Sequence, residues 1–220
     1  MKALLVTKDN APGRAAERVL LDAGLEVRTA AAASPGEALP GWAGEWEGDL
    51  IVSYLAQWVL PAPVLRRAKV QAVNFHPGPP EYPGTGCYNF ALYDGAPTYG
   101  ATCHVMEPRV DAGAILAVSR FDLLPEDSVA TLRERTLEHL HRLLEAWTAA
   151  LVQGRPLEPC GERWARAATT RRQLEALGEI TLGMDEAEAL RRIRAMHYPG
   201  FPGARLRIRG RDYALVPAQD

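Results

Sequence analysis

Short apolar runs alternate with helix-forming or Pro/Gly-punctuated stretches along the amino-terminal part of the chain, and this alternation restricts the fold more than any other feature. Residues 3–6 (Ala-Leu-Leu-Val), 26–29 and 49–55 (Asp-Leu-Ile-Val-Ser-Tyr-Leu) are the first three runs, and 72–76 is the fourth. A loop over 7–13 and a predicted helix over 14–23 separate the first two; a segment carrying Trp42 and Trp46 precedes the third. Pro61 and Pro63 open a helix before the fourth, since proline suits a helix's first turn. Strand, helix, strand, helix is the signature of a parallel sheet wound on both faces. A short helix over 88–93 follows, and after Gly95 the pattern changes: the strand-like runs 99–106 and 114–121 are joined only by 107–113. So short a link suits an antiparallel pair. The predicted fold class is α/β, a doubly wound, mostly parallel (Rossmann-like) sheet with an antiparallel strand pair.

A long helix is predicted over 128–151, where Leu132, Leu140, Leu143, Leu144 and Trp147 supply an apolar stripe. Gly154-Arg155-Pro156 then marks a boundary, giving an expected catalytic domain over 1–153 and a small carboxy-terminal subdomain over 154–220. The latter is read as an Arg-rich linker, a helix over 185–196 and a hairpin over 204–216 turning at Gly210. A length of 220 residues accommodates one sizeable core with such an appendage. The net charge of -2 offers no electrostatic footprint for nucleic acid. Cys87, Cys103 and Cys160 are odd in number and widely spaced, which points to a reducing compartment rather than a disulfide framework. The opening apolar run is too short for a signal peptide and no stretch reaches membrane-spanning length, so a cytoplasmic protein without a membrane partner is expected. No His/Asp/Glu cluster has metal-site spacing.

The fourth run reads Ala72-Val73-Asn74-Phe75-His76 and is broken at once by Pro77, Gly78, Pro79 and Pro80. Strand side chains alternate, so Asn74 and His76 share one side at the strand's carboxyl end. Open α/β sheets place their ligands beyond such ends. Taken singly, each residue is adequately explained as a hydrogen-bonded core position. Asp111-Ala112-Gly113, downstream in the link of the antiparallel pair, adds a carboxylate to the amide and the imidazole.

Asn74-x-His76-Pro77 after a buried strand, a Pro/Gly loop with Tyr82 and Gly84, Thr102, and then Val110-Asp111-x-Gly113-x-Ile115-Leu116 together resemble the formyltransferase family that uses 10-formyltetrahydrofolate. That family includes methionyl-tRNA formyltransferase, glycinamide ribonucleotide transformylase and the sugar N-formyltransferases. Val59-Leu60-Pro61 looks like its folate-binding turn, and Tyr198-Pro199-Gly200-Phe201-Pro202-Gly203-Ala204 is similar to the tail of its small-molecule members. The sequence departs from the family at His76-Pro77-Gly78-Pro79-Pro80-Glu81-Tyr82-Pro83-Gly84, where His-Pro-Ser-Leu-Leu-Pro is common. Thr7-Lys8-Asp9-Asn10 replaces the transformylase's Gly-rich phosphate loop, one strand-helix unit is expected to be missing near the amino terminus, and no large RNA-binding domain is recognisable.

The resemblance implies formyl transfer from 10-formyltetrahydrofolate to the amine of a small-molecule acceptor, an amino sugar nucleotide or a modified amino acid. It makes Asn74, His76 and Asp111 the catalytic residues: Asn74 as oxyanion donor, His76 as oxyanion donor or proton acceptor, and Asp111 as the group that orients or charges His76. Which of His76 and Asp111 is the base is left open. Trp58, Val59 and Leu60 are implied on one side of the folate, with Glu107, Val110 and Asp111 opposite. Tyr82 and Gly84 belong to the loop that shapes the acceptor pocket, and Lys8, beyond the first strand, is either a phosphate anchor or a solvated lysine. His104 is expected to be structural, and His139 and His141 to lie on a solvated helix face. A formyltetrahydrofolate hydrolase and a catalytically idle folate-binding scaffold are the alternatives, and a homodimer is left open.

Overall fold

The computed structural model describes residues 1–217; the last three residues of the expected subdomain lie outside the described residues. In chain order the elements are β1 (Lys2–Lys8), α1 (Ala11–Asp22), β2 (Glu26–Ala32), α2 (Gly41–Glu45), β3 (Gly48–Tyr54), α3 (Ala62–Leu65), β4 (Ala68–His76) and α4 (Cys87–Asp94). They continue as β5 (Thr98–Val105), β6 (Ile115–Asp122), α5 (Val129–Val152), α6 (Arg171–Leu177), β7 (Glu179–Ile180), α7 (Glu186–Met196), β8 (Ala204–Ile208) and β9 (Arg211–Leu215). One six-stranded sheet runs β2-β1-β3-β4-β5-β6. Its first four strands are parallel, and β5 and β6 are antiparallel to their neighbours. This is the α/β architecture the alternation of apolar runs implies. The strand order reverses between β1 and β3, so a crevice opens beyond their carboxyl ends, next to the end of β4.

Alternation along each strand builds the two sides of the sheet. Ala3 and Leu5 of β1, Leu50 and Val52 of β3, and Val73 and Phe75 of β4 face α1 and α5, where they meet Leu20, Leu140, Leu144 and Trp147. Leu4, Val6, Ile51 and Ala72 point the other way, against Ala43, Leu60 and Val64. Trp147 is fully buried and meets Phe75 nearly edge-on at a centroid separation of 5.9 Å. No helix among the described residues is long and apolar enough to cross a membrane.

Several element boundaries differ from the sequence reading for local reasons. Helix α1 begins at Ala11 rather than 14, because the Asn10 side chain caps it by accepting the Gly13 N–H at 3.0 Å and Pro12 fits the first turn. Strand β2 extends to Ala32, held by parallel pairing along the full length of β1. The helix opened by Pro61 is a single turn, α3. The segment read as an Arg-rich linker contains α6, whose Thr170 and Gln173 form a reciprocal capping box.

Beyond α5 the chain first runs back along the large sheet. Cys160 N–H donates to Ile115, Ala165 N–H to Pro80 and Thr169 N–H to Pro83, at 2.9, 3.0 and 3.0 Å. Only then does it enter the second sheet, β7-β8-β9, whose hairpin turns at Arg209 and Gly210 with φ of 47° and 79°. Leu177, Ile180, Met196 and Ala204 form the small core there. Asn89 on α4 donates to the Ala195 carbonyl of α7 at 2.8 Å and fastens this unit to the large one.

Candidate active site

The end of β4 is a hard stop, since Pro77 cannot continue the ladder and Gly78 turns the chain. A Cβ at Gly78 would lie 2.6 Å from His76 Nε2, so glycine is what lets the loop fold back over the imidazole. The loop is pinned from beneath by Tyr99 Oη on the Pro77 carbonyl (3.0 Å) and Thr102 Oγ1 on the Gly78 carbonyl (2.8 Å). His76 is thereby fixed at both ends: Nε2 is 2.9 Å from the Tyr82 carbonyl and Nδ1 is 3.2 Å from Asp111 Oδ2.

Asp111 sits in the β5–β6 connection with a left-handed φ of 43° and is almost completely buried. A buried carboxylate requires donors. Gly84 N–H donates to Oδ2 at 2.7 Å, Asn74 Nδ2 donates to Oδ1 at 3.4 Å, and His104 Nε2 lies 3.2 Å from Oδ1. His104 thus belongs to the cluster rather than serving only as a strand residue. Its signal was topological: in the antiparallel register of β4 and β5, His104 is the direct partner of Asn74.

Proton positions follow from the acceptors. A carbonyl oxygen only accepts, so the 2.9 Å contact with Tyr82 asks for a proton on His76 Nε2, and the 2.8 Å contact with Val105 O asks for one on His104 Nδ1. Each imidazole then turns its other nitrogen towards Asp111. If both rings were neutral, two lone pairs would face a carboxylate, so the geometry is best satisfied when the cluster holds an additional proton between Asp111 and a histidine.

Burial is the largest influence on His76 and holds it below the ordinary histidine value, against the pull of Asp111 and the Tyr82 carbonyl. Burial alone would raise Asp111, but His76, His104 and the Gly84 N–H reverse this and bring its carboxyl down to about 2. The two shifts are in tension, because a charged His76 is part of what lowers Asp111. The Gly84 and Asn74 donors act whatever the charge on His76, so the ionised carboxylate is the firmer of the two assignments.

Both N–H groups of Asn74 are occupied, one by His104 Nε2 at 3.0 Å and the other by the long contact to Asp111. Presenting an amide hydrogen to an oxyanion requires giving up the weaker of these, the 3.4 Å bond. Cys87 lines the same cleft, but burial pushes its thiol up to about 11, which leaves it a poor nucleophile.

The cluster opens into a cleft of about 600 Å³. Trp58, Val59, Leu60, Glu107 and Val110 are among the residues that line it. The Leu60 side chain is buried in the core and the Trp58 indole donates to the Glu37 carbonyl at 2.6 Å, while Val59 between them is exposed. Among the described residues, the backbone N–H and C=O groups of Trp58, Val59 and Leu60 have no hydrogen-bond partner within the protein, which suits them to the polar edge of a flat heterocycle. Lys8 stands on the rim with its ammonium lowered by partial burial and by Arg133. Gly84 lines the cleft, with φ of 88°. The Tyr82 ring does not line it: it packs on Tyr99 beneath the Arg166 guanidinium, and only its carbonyl reaches the cluster. Leu174 and Phe201 of the carboxy-terminal unit complete the mouth.

Trp164 was not singled out from the sequence. Its ring meets His104 perpendicularly at 5.0 Å and His76 at 5.8 Å, and its Nε1 donates to the Gly113 carbonyl at 2.9 Å. A lone tryptophan in an Arg-rich stretch was the only available sign.

The formyl transferase family profile matches residues 28–148. GDP-perosamine N-formyltransferase from Brucella melitensis is 30% identical over 195 residues, covering 88% of this chain and 74% of that protein. A sugar N-formyltransferase structure from Shewanella superposes with a TM-score of 0.82 at 19% identity, over 100% of this chain and 98% of the other. HypX from Aquifex aeolicus in complex with tetrahydrofolic acid gives 0.72 at 21% identity, over 98% of this chain and 37% of the other. The structural likenesses speak for the shared fold; the profile match across most of the large sheet and the Brucella relative place this chain in the formyl transferase family.

Proposed function

We propose that this protein moves a formyl group from 10-formyltetrahydrofolate to the amine of a nucleotide-linked amino sugar, with Asn74, His76 and Asp111 as the catalytic residues. The observation that carries this reading is the buried carboxylate of Asp111 held between two imidazoles and an amide at the floor of the cleft. The unpaired backbone of residues 58–60, with Glu107 and Val110 in the same lining, fits the folate, which would supply the formyl carbon open to attack.

The residues of this chain then have three tasks. Asn74 Nδ2, and His76 Nε2 once it leaves the Tyr82 carbonyl, donate to negative charge developing on the formyl oxygen. Loss of one such donor typically costs about 10² to 10³ in rate. The cluster of His76, Asp111 and His104 takes up the proton released by the attacking amine and holds it near the leaving nitrogen. Burial beneath the loop of residues 77–84 keeps bulk water from the same groups.

An amino sugar nucleotide as acceptor is supported by the Brucella relative's name and by the cleft itself. Lys8, with Arg133 close enough to act on it, brings positive charge to the cleft, where a diphosphate would be neutralised, and Phe201 adds an exposed ring to the same lining. Incubation of the protein with 10-formyltetrahydrofolate and a panel of 3-amino and 4-amino sugar nucleotides tests the proposal. The expected result is amine-dependent tetrahydrofolate release with a product heavier by one formyl group. Folate binding without release across the panel, or equal release when no amine is present, contradicts it.

A further inference from the structure

Asp111 forms a thin partition between two cavities. On one side is the cleft; on the other is a solvent-open hollow of about 510 Å³, lined by Arg109, Asp111, Gly113, Glu162, Trp164 and Arg166. Without a barrier, water in that hollow would have a second route to the buried carboxylate and to both imidazoles. The barrier is the indole of Trp164, which borders the hollow and stands at 5.0 and 5.8 Å from the centres of the His104 and His76 rings.

The indole is held by a strap that the chain builds after α5. Trp164 Nε1 is tied to Gly113, two residues past Asp111; Ala165 N–H is tied to Pro80; Arg166 Nε donates to the Glu81 carbonyl at 2.7 Å. Arg120 clamps the same region by pairing with Glu81 and Glu162 at 3.0 and 2.6 Å. One segment therefore grips both loops of the site, the one that covers His76 and the one that carries Asp111.

We propose that Trp164 is a positioning residue of the active site, seating the His76 and His104 rings against Asp111 and sealing the cluster from the water-filled hollow behind it. It does not line the reactant cleft and acts through the histidines. The charged and titratable groups facing His76 are Asp111 and His104, with the Cys87 thiol nearby; Arg109, Arg163, Arg166 and Glu162 border the hollow. Removing the indole admits water to His76, so the influence of burial, the largest on this ring, relaxes and its pKa rises.

The role of Trp164 in turnover rests on the function proposed above, so the first measurement requires neither reactant. Nitrogen-15 NMR titration of the His76 and His104 rings is compared between the unmodified protein, Trp164→Ala and Trp164→Phe. The expected result is an upward move of the His76 midpoint by about one pH unit in Trp164→Ala, largely reversed in Trp164→Phe. An unchanged midpoint in Trp164→Ala overturns the proposal whatever reaction the protein catalyses. Should Trp164→Ala not fold, Trp164→Val, which removes the ring, its N–H and most of its bulk, carries the same comparison. With active protein, Trp164→Ala is expected to lower kcat about 10²-fold with little change in acceptor KM, to raise amine-independent tetrahydrofolate release, and to move the acid limb of the pH profile upward. A loss confined to KM overturns the positioning role.

Discussion

His104 stands directly opposite Asn74 in the antiparallel pairing of β4 with β5, and its Nε2 lies 3.0 Å from the Asn74 amide nitrogen. Side chains paired across a ladder share a face, so this register supplies the active-site strand with a second imidazole that its own sequence does not contain. His104 Nδ1 is committed to the Val105 carbonyl at 2.8 Å, which sets the tautomer and leaves Nε2 to accept from Asn74. His104→Ala removes that acceptor and frees the amide to rotate away from its working orientation. Losing a neutral hydrogen bond of this kind is worth about 1 kcal/mol, so kcat is expected to fall roughly fivefold with the acceptor KM nearly unchanged. His104→Gln, which can still offer an acceptor, should recover part of the rate. Steady-state kinetics on the two variants checks this, and a wild-type kcat in His104→Ala contradicts it.

The Asp111 carboxyl titrates near 2 in the folded protein, from an ordinary value of 3.8. Its folded-state pKa is depressed, so the stability it contributes is present above about pH 4 and is lost as the pH falls towards 2. A shift of this size corresponds to about 2 kcal/mol at neutral pH. The buried His76 acts in the same direction over a higher range: with its folded pKa below the ordinary 6.5, the unfolded chain takes up the proton first, and stability declines as the pH drops from 6.5 towards the folded value. Urea denaturation at pH 7, 5 and 3 should therefore show progressive destabilisation. In Asp111→Asn the step between pH 5 and 3 should shrink by about 1 kcal/mol, the rest of the Asp111 contribution being lost only below pH 3. A step as steep as in the unmodified protein contradicts the assignment.

Phe201 is exposed at the mouth of the cleft and stacks on Tyr198 with ring centres 4.8 Å apart. It lies far along the chain from the residues that bind the folate in the proposed function, on a loop of the carboxy-terminal unit. An exposed ring next to Lys8's positive rim suits the base or sugar of the acceptor. Phe201→Ala is expected to raise the acceptor KM about fivefold while leaving kcat and the folate KM within a factor of two, since such a contact contributes roughly 1 kcal/mol alike to ground and transition states. A change in the folate KM alone would place Phe201 on the other substrate.

The large sheet was readable because each apolar run alternates or is wholly apolar, and because Pro61, Pro77 and Gly95 punctuate the elements. Asn74 and His76 were readable from period two along β4, and Asp111 from its motif. His104 and Trp164 were not, for a shared reason: each reaches the cluster through a contact distant in sequence, one by strand register and the other by a strap returning over the sheet. Leu60 and Tyr82 show the converse limit. The motif pointed to their segments, but the Leu60 side chain is buried in packing and the Tyr82 ring lies against Tyr99, with its carbonyl on His76. In the Arg-rich segment the Thr170-x-x-Gln173 spacing is a helix-start signal that the linker reading did not take up.

Gly84 links the strap to the Asp111 carboxylate. Its N–H donates to Asp111 Oδ2 at 2.7 Å, and its φ of 88° lies where side chains are strained. Thr169 passes so close that a Cβ at Gly84 would lie 2.4 Å from both its nitrogen and its oxygen, and neither is a flexible side-chain end that could yield. Gly84→Ala must therefore change the backbone angle, push the strap away, or both. The strain alone costs about 1–3 kcal/mol. Displacing the strap also moves Trp164, and displacing the Gly84 N–H removes one of the donors that keep Asp111 ionised. Thermal unfolding should show the variant less stable by at least that strain, and its activity should fall by more than tenfold under conditions where it remains folded. Thr169→Ala serves as the comparison: it loses the side-chain hydrogen bonds to the Pro83 and Thr85 carbonyls but keeps the backbone bridge, and its activity should stay within a few-fold of the unmodified protein. Equal losses in the two variants would show that the strap's side-chain bonds, not the close approach at Gly84, hold the carboxylate in place.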